Sequence, residues 1–194
     1  MNIEQTLVLL KPDAVKRGVV GEILHRFERS GLKVVGSKMT QAKRDFAEQH
    51  YLMSEEAMLA IGKRTLSDCE KFGVDACENM GSADAMEIGK KVWEWNVDFL
   101  TSGPVLAFVL EGIHAVESVR SMVGATVPLN AAPGTIRGDF SLDSAIGANI
   151  RKRTIYNLIH ASGTVDEAKR EINLWFKPEE IVSYRRVHED LYKY

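Results

Sequence analysis

An α+β sandwich, with helices packed on one face of a small and mainly antiparallel sheet, is the fold class that the sequence predicts. Three observations carry it. Short apolar runs bounded by polar or Gly/Pro loops alternate with stretches of helical spacing, and their order is strand, helix, strand, helix, strand, helix, loop, strand, helix. The chain of 194 residues is 45% hydrophobic, enough for a substantial core in one ordinary domain with room for insertions. No repeat or low-complexity segment argues for a solenoid or a disordered tract.

Taken in order, Gln5 to Leu10 is an apolar run stopped by Lys11-Pro12-Asp13 and reads as a buried strand ending in a polar loop. Val20 to Ser30 carries Ile23, Leu24 and Phe27 at helical spacing and ends before Gly31. Leu32 to Thr40 reads as a second strand, and Lys43 to about Met53 as a helix with Phe46, Ala47 and Tyr51 on one side. The stretch from about Ser54 to Glu94 is helical in composition, with Gly62, Gly73, Gly81 and Gly89 scattered through it, and reads as an inserted helical hairpin. Val105 to Leu110 follows Ser102-Gly103-Pro104 as a central strand, and Ala115 to Val123 is a helix. Pro128, Asn130, Pro133 and Gly134 mark a long loop between Gly124 and Gly138, of a length that ordinarily has a functional reason. Ile155 to Ile159 is the last strand, and Thr164 with Glu167 forms a capping box opening a helix that closes near Phe176.

A net charge of -2 advertises no nucleic-acid or membrane partner, so any anion site must be local. Cys69 and Cys77 form no CxxC pair and no metal-spaced cluster, and read as free thiols. The N-terminal apolar run lacks a basic leader and is broken by Lys11 and Pro12, so it reads as neither signal peptide nor membrane span, and a cytoplasmic location is expected. Gly18 to Gly21 lacks the spacing of a P-loop or a dinucleotide fold. Arg137-Gly138-Asp139 is read as a chance match to a cell-adhesion tripeptide, and Arg151-Lys152-Arg153 as a solvated turn or, less favoured, a phosphate or subunit contact.

His160 stands where an apolar strand ends, just before a helix N-terminus, a junction that exposes a side chain and aims backbone N–H groups at anions. His25, His50, His114 and His188 have no such setting and read as surface or core residues. Lys11, Arg120, Arg137, Thr126 and Asn157 supply charged and neutral donors. They form either a cradle for a polyphosphate or scattered surface groups, and spacing alone leaves both open.

Read together, Thr6-Leu-Val-Leu-Leu-Lys-Pro-Asp13, Arg17-Gly-Val-Val-Gly-Glu22, His50-Tyr51, Ser102-Gly-Pro-Val105, Gly124-Ala-Thr126, Pro133-Gly-Thr-Ile-Arg-Gly-Asp-Phe140, Asn157-Leu-Ile-His160-Ala-Ser162 and Glu171-Ile-Asn-Leu-Trp-Phe176 resemble the nucleoside diphosphate kinases, in order and over most of the chain. The resemblance implies a ferredoxin-like βαββαβ core with a four-stranded sheet. The whole chain, 1–194, would be one such domain with insertions at about 54–94 and 141–152. It implies ping-pong transfer of the γ-phosphoryl group, typically from ATP, to a nucleoside diphosphate through a phosphohistidine at His160. Mg²⁺ would arrive with the nucleotide phosphates, and the chain would form a homo-hexamer or tetramer. Lys11, Arg120, Thr126 and Arg137 would hold the phosphates, and Asn157 and Lys11 the sugar hydroxyls. Tyr51 would lie beside His160, and Ser162 and Glu171 would orient its ring from behind. Counting back from Ser102 places the base-stacking residue near Val92 and Trp93, with Trp93 the choice. Gly163 stands where an acidic residue is common in the family, a departure expected to loosen the support around Ser162. The alternatives are a non-catalytic nucleotide-binding scaffold on the same fold and a single-strand nucleic-acid binder, the latter disfavoured by the acidic balance.

Overall fold

A computed structural model describes residues 3–186; the histidine at position 188 lies outside them. Four strands form one sheet in the order β2-β3-β1-β4, and β1 pairs antiparallel with both β3 and β4, as does β2 with β3. They span Ile3–Leu10 (β1), Lys33–Thr40 (β2), Val105–Ile113 (β3) and Ile159–Ala161 (β4). This is the ferredoxin-like sandwich that the resemblance implies.

Among the described residues, ten α-helices connect and cover the strands. They are α1 (Pro12–Lys16), α2 (Val20–Arg29), α3 (Arg44–His50), α4 (Glu55–Lys71), α5 (Ala76–Met80), α6 (Ala85–Thr101), α7 (Ala115–Val123), α8 (Ile136–Phe140), α9 (Ala145–Ile150) and α10 (Val165–Trp175). The expectation of helices on one face is corrected, because both faces are covered. Val8, Leu10, Phe108 and Leu110 pack under Ile23 and Phe27 of α2 and Val119 and Val123 of α7. Leu7, Leu9, Ala107 and Val109, which alternate with them, pack under Ala47 of α3, Val97 and Leu100 of α6 and Trp175 of α10. A strand buried on both sides is apolar throughout rather than at every second residue, which is how β1 and β3 read.

The segment between α3 and β3 is a pair of long helices, α4 and α6, with α5 between them. Its glycines have two separate jobs. A Cβ on Gly62 would stand 1.7 Å from the carbonyl oxygen of Ala85, and one on Gly89 would stand 2.0 Å from that of Met58, so these two let the helix backbones touch where α4 and α6 cross. Gly81 instead caps α5 in the left-handed region, at φ 77°. Helix α3 stops at His50 rather than near Met53, with Tyr51 as its cap.

The last strand also differs from the expectation. Ile155 to Leu158 forms no strand, and β4 begins only at Ile159, so His160 sits inside the strand and not past its end. Leu158 just before it adopts φ 67°, uncommon for a residue with a branched side chain. Two bonds hold it there: its carbonyl accepts from the Lys11 backbone N–H at 2.8 Å, and its own N–H donates to Asp13 at 3.0 Å.

Candidate active site

His160 pairs with Leu9 across β4 and β1. Directly opposed residues share a face of the sheet, and the Leu9 side chain lies under α3 and α10, so the imidazole is delivered to the same side. Both helices meet it there. Glu171 of α10 accepts a hydrogen bond from His160 Nε2 at 2.8 Å through Oε1, and its other oxygen accepts from Ser162 Oγ at 2.6 Å. Ser162 in turn accepts from the Leu7 backbone N–H at 3.3 Å. The carboxylate, 1% exposed, therefore fixes the proton on Nε2 and leaves the Nδ1 lone pair unbonded among the described residues.

His50, at the end of α3, completes the setting, and reading it as a bland histidine left this out. Its ring stands edge-on to His160 with centroids 4.5 Å apart, and its Nδ1 accepts from Trp175 Nε1 at 3.3 Å. That bond places the His50 proton on Nε2, a buried atom with no partner among the described residues. The signal was the helical register that puts residue 50 at the apolar end of α3 beside Ala47. Burial first, then the nearby Lys11, Arg137 and Arg120, pushes the His160 pKa down to about 3, so the ring is neutral across the physiological range. Burial likewise lowers His50 well below the usual histidine value, and raises Glu171 above the usual carboxylate value.

A cavity of about 1080 Å³ opens in front of His160 and is edged by Lys11, Tyr51, Arg120, Thr126, Arg137 and Asn157. Three of these form a buried network. Lys11 Nζ donates to Asn157 Oδ1 at 2.7 Å, Asn157 Nδ2 donates to the Thr126 carbonyl at 2.7 Å, and Arg137 Nε donates to the Asn157 carbonyl at 3.2 Å. Arg137 also donates to the carbonyls of Gly124 and Ile159, at 3.0 and 2.6 Å. Three of its five N–H groups are thereby anchored to the loops around β4, and two remain for a ligand. Burial and the Arg137 charge push the Lys11 pKa down to about 8, and burial with the Arg120 charge brings Arg137 down to about 10. Crowded, partly dehydrated cations of this kind mark a place where an anion belongs. Arg120 and Thr126 are exposed on the rim, and the Tyr51 hydroxyl is buried without a partner among the described residues.

Trp93 is corrected. It does not line the cavity; its indole N–H donates to the Tyr51 carbonyl at 2.8 Å and its ring packs with the core under the sheet. Val92, one residue earlier, reaches the cavity instead. The expected loosening at Gly163 is also not what the structure shows. A Cβ there would stand 2.6 Å from Glu167 Oε2, and that carboxylate accepts from the Gly163 N–H at 2.6 Å. The acidic group missing from position 163 is supplied one helical turn later, so the Glu167 half of the expected capping box reaches Gly163 while Thr164 accepts from the Glu167 N–H. The Arg137-Gly138-Asp139 tripeptide is internal in use: Asp139 pairs with Arg26 at 2.6 Å. Arg151 and Lys152 are exposed, while Arg153 pairs with Asp143 at 2.5 Å.

An unprotonated imidazole backed by a carboxylate, facing a pocket of lysine and arginine on an antiparallel α+β sheet, defines a phosphotransferase. Residues 4–60 and 82–181 match the family model described as nucleoside diphosphate kinase. The chain belongs to the nucleoside diphosphate kinase family. It is 46% identical to a nucleoside diphosphate kinase of Pyrobaculum aerophilum over 94% of this chain and all of the relative. The crystal structure of an NDP kinase from the same organism superposes with a TM-score of 0.90 at 44% identity, covering 94% of this chain and all of that one. A transition-state mimic of the Borrelia burgdorferi enzyme with bound vanadate and ADP gives 0.77 at 38% identity, covering 96% and 95%. Among the described residues, no helix is long and apolar enough to cross a membrane.

Proposed function

We propose that this enzyme moves the γ-phosphoryl group of a nucleoside triphosphate, typically ATP, to a nucleoside diphosphate by way of His160. The observation that carries the assignment is the chain Ser162–Glu171–His160, which ties up Nε2 and leaves Nδ1 as the nucleophile. Its lone pair forms the N–P bond as the bond from phosphorus to the bridging oxygen breaks, and the departing diphosphate keeps that electron pair. Glu171 holds the Nε2 proton and offsets the positive charge that the phosphorylated ring gains. The acceptor's terminal phosphate oxygen then attacks the phosphohistidine, returning the lone pair to Nδ1. One neutral nucleophile thus serves two anionic substrates in turn.

Lys11, Arg120 and Arg137 hold the phosphates and stabilise charge on the transferring oxygens, with Thr126 as a neutral donor, while Asn157 and Lys11 take the sugar hydroxyls. The partnerless Tyr51 hydroxyl beside the cavity is available to a phosphate oxygen. Mg²⁺ bound to the nucleotide would neutralise part of the phosphate charge. The one metal-spaced cluster among the described residues, His50, His160 and Glu171, is buried and rich in nitrogen, a poor match for an ion that seeks oxygen and keeps its waters. The chain's residues therefore fit Mg²⁺ carried on the phosphates, with no dedicated protein cage. We read residues 1–194 as one domain with insertions, working in the cytoplasm as a homo-hexamer or tetramer.

The test uses ATP labelled on the γ-phosphate without acceptor. The wild-type protein should take up a covalent label that survives base and is lost in acid, and nucleoside diphosphate should discharge it as triphosphate. His160→Ala should take up none. A wild-type protein that binds ATP but never labels would point to the scaffold alternative.

A further inference from the structure

The cavity in front of His160 continues away from its cationic end into a wall built by α4 and α6. Ile61, Arg64, Thr65 and Asp68 line it from α4, spaced three, four and seven residues apart as one helical face. Val92 and Asn96, one turn apart on α6, line it as well. Asn96 Oδ1 accepts from Thr154 Oγ1 at 2.5 Å. That bond ties α6 to the segment that leads to Asn157 three residues on, a stretch of chain of at most about 10 Å, so the wall starts near the residue assigned to the sugar.

Two features of this wall stand out. Tyr51 is the only Phe, Tyr or Trp side chain along the cavity among the described residues, and it lies at the phosphate end, 4.8 Å from the His50 ring. A base entering the end walled by α4 and α6 therefore meets no Phe, Tyr or Trp face to stack on. It meets polar groups instead: Asn96 has its oxygen engaged by Thr154 and keeps its amide N–H groups for a ligand, Arg64 is exposed, and Asp68 is half-buried. Arg64, Thr65 and Asp68 also fall in residues 61–81, which the family model leaves unmatched.

We propose that this wall reads the nucleobase by hydrogen bonding and favours guanine, with Asp68 as the specificity-determining residue; the proposal rests on the nucleotide occupying the cavity as described above. A carboxylate only accepts. Guanine alone among the common bases presents two adjacent N–H donors on one edge, N1–H and the 2-amino group, to match two carboxylate oxygens. Its neighbouring O6 accepts from Asn96 or Arg64. Adenine and cytosine place a bare ring nitrogen beside their amino group, and uracil flanks its single N–H with two carbonyls, so each sets a lone pair against Asp68. Stacking would tolerate all four bases, whereas a hydrogen-bonding wall discriminates because its groups are left unpaired by the wrong base.

The experiment labels the wild-type protein with γ-labelled ATP, removes free nucleotide, and measures the second-order rate of discharge by GDP, ADP, CDP and UDP. GDP should be faster than the others by about ten-fold or more, the discrimination of one good two-bond pairing. Asp68→Asn should bring GDP to within about two-fold of the rest and leave UDP unchanged. Arg64→Gln, on the neighbouring turn, should lower GDP by a smaller factor and serves as a second variant. Four diphosphates within two-fold of each other in the wild type, or a GDP advantage that Asp68→Asn does not reduce, would overturn guanine readout while leaving the phosphohistidine intact. A protein that takes up no label removes the nucleotide reading and this one with it.

Discussion

At the cationic end of the cavity, Lys11, Arg137 and Asn157 are buried and bonded to one another or to backbone carbonyls, whereas at the end walled by α4 and α6 Arg64 is exposed and Asp68 half-buried, on the part of α4 that the family model leaves unmatched. The first end is held before any ligand arrives. Its donors need no reorganisation as charge develops, which is how fixed dipoles and cations lower a barrier. The second end is carried by α6, which packs on the sheet through Val97 and Leu100, and by α4, which meets α6 at a glycine-to-backbone crossing. Within this chain the buried, bonded donors sit at one end of the cavity, and the exposed or half-buried side chains of α4 sit where a substitution disturbs little else.

The sharpest way to break that contrast is to remove the central cation. Lys11→Met should lower kcat/KM for phosphoryl transfer by ~10³-fold, in the range seen when one preorganised stabilising group is lost. The same substitution at Arg64 should leave the rate of labelling by ATP within about ten-fold. Equal losses at the two positions would erase the distinction between the ends. Next comes Glu171→Gln, which keeps the shape but supplies an amide N–H where a carboxylate oxygen now accepts. The His160 tautomer is then no longer fixed, and labelling should slow by ~10- to 100-fold, the usual cost of losing an orienting partner. ATP binding should be little changed, so the loss should appear in the single-turnover rate and not in the half-saturating concentration.

A smaller effect separates the ends by pH. Lys11 is brought down to about 8, so its charge is present below that pH and lost above it. The value of kcat/KM, which reports the free enzyme, should therefore fall with rising pH, about ten-fold per unit above 8. His160, at about 3, gives no acid limb near neutrality because the ring is already unprotonated. Acid acts instead on stability. Both His50 and His160 are lowered in the folded protein, so the unfolded chain binds more protons below pH about 6.5, the ordinary histidine value, and stability falls as the pH drops from there. The raised carboxyls of Asp13 and Glu171 act in the opposite sense, but only nearer the carboxylate range. A kcat/KM profile that titrates near 6.5 would mean that His160 is solvated, and the preorganised end would not be preorganised.

Much of this was legible in the chain. The unbroken apolar runs from Leu7 to Leu10 and Val105 to Leu110 marked two central strands, but their lack of alternation, which two-sided cover explains, was read with helices on one face only. Lys11, Arg137 and Asn157 read from the sequence only as donors that could converge or scatter, and it was the order of the family-like motifs around them that grouped them with His160. What could not be read is whatever depends on pairing between distant segments. The bounds of β4 are set by its register with β1 and not by its own periodicity. The contact of His50 with His160 exists only because Leu9 and His160 share a face under α3. Gly62 and Gly89 looked like weak punctuation, since close approach of two helices leaves no mark beyond a missing side chain. Glu167 standing in for an acid at position 163 is a three-dimensional exchange between residues one turn apart.

The mildest test concerns Trp93. Its position near the expected stacking residue made it a natural candidate for the base, yet its indole is spent on the Tyr51 carbonyl and its ring on the core. If that is its role, Trp93→Phe removes one hydrogen bond and keeps most of the buried ring. Stability should then drop by about 1 kcal/mol, the typical net worth of such a bond. Discharge rates with the four diphosphates should keep their ratios, because the side chain does not face the nucleoside. A residue that stacked on the base would behave the other way, with little change in unfolding and a loss shared by every nucleotide. Measuring both quantities on one variant therefore decides whether the wall of α6 meets the nucleoside through Val92 and Asn96 or through the tryptophan between them.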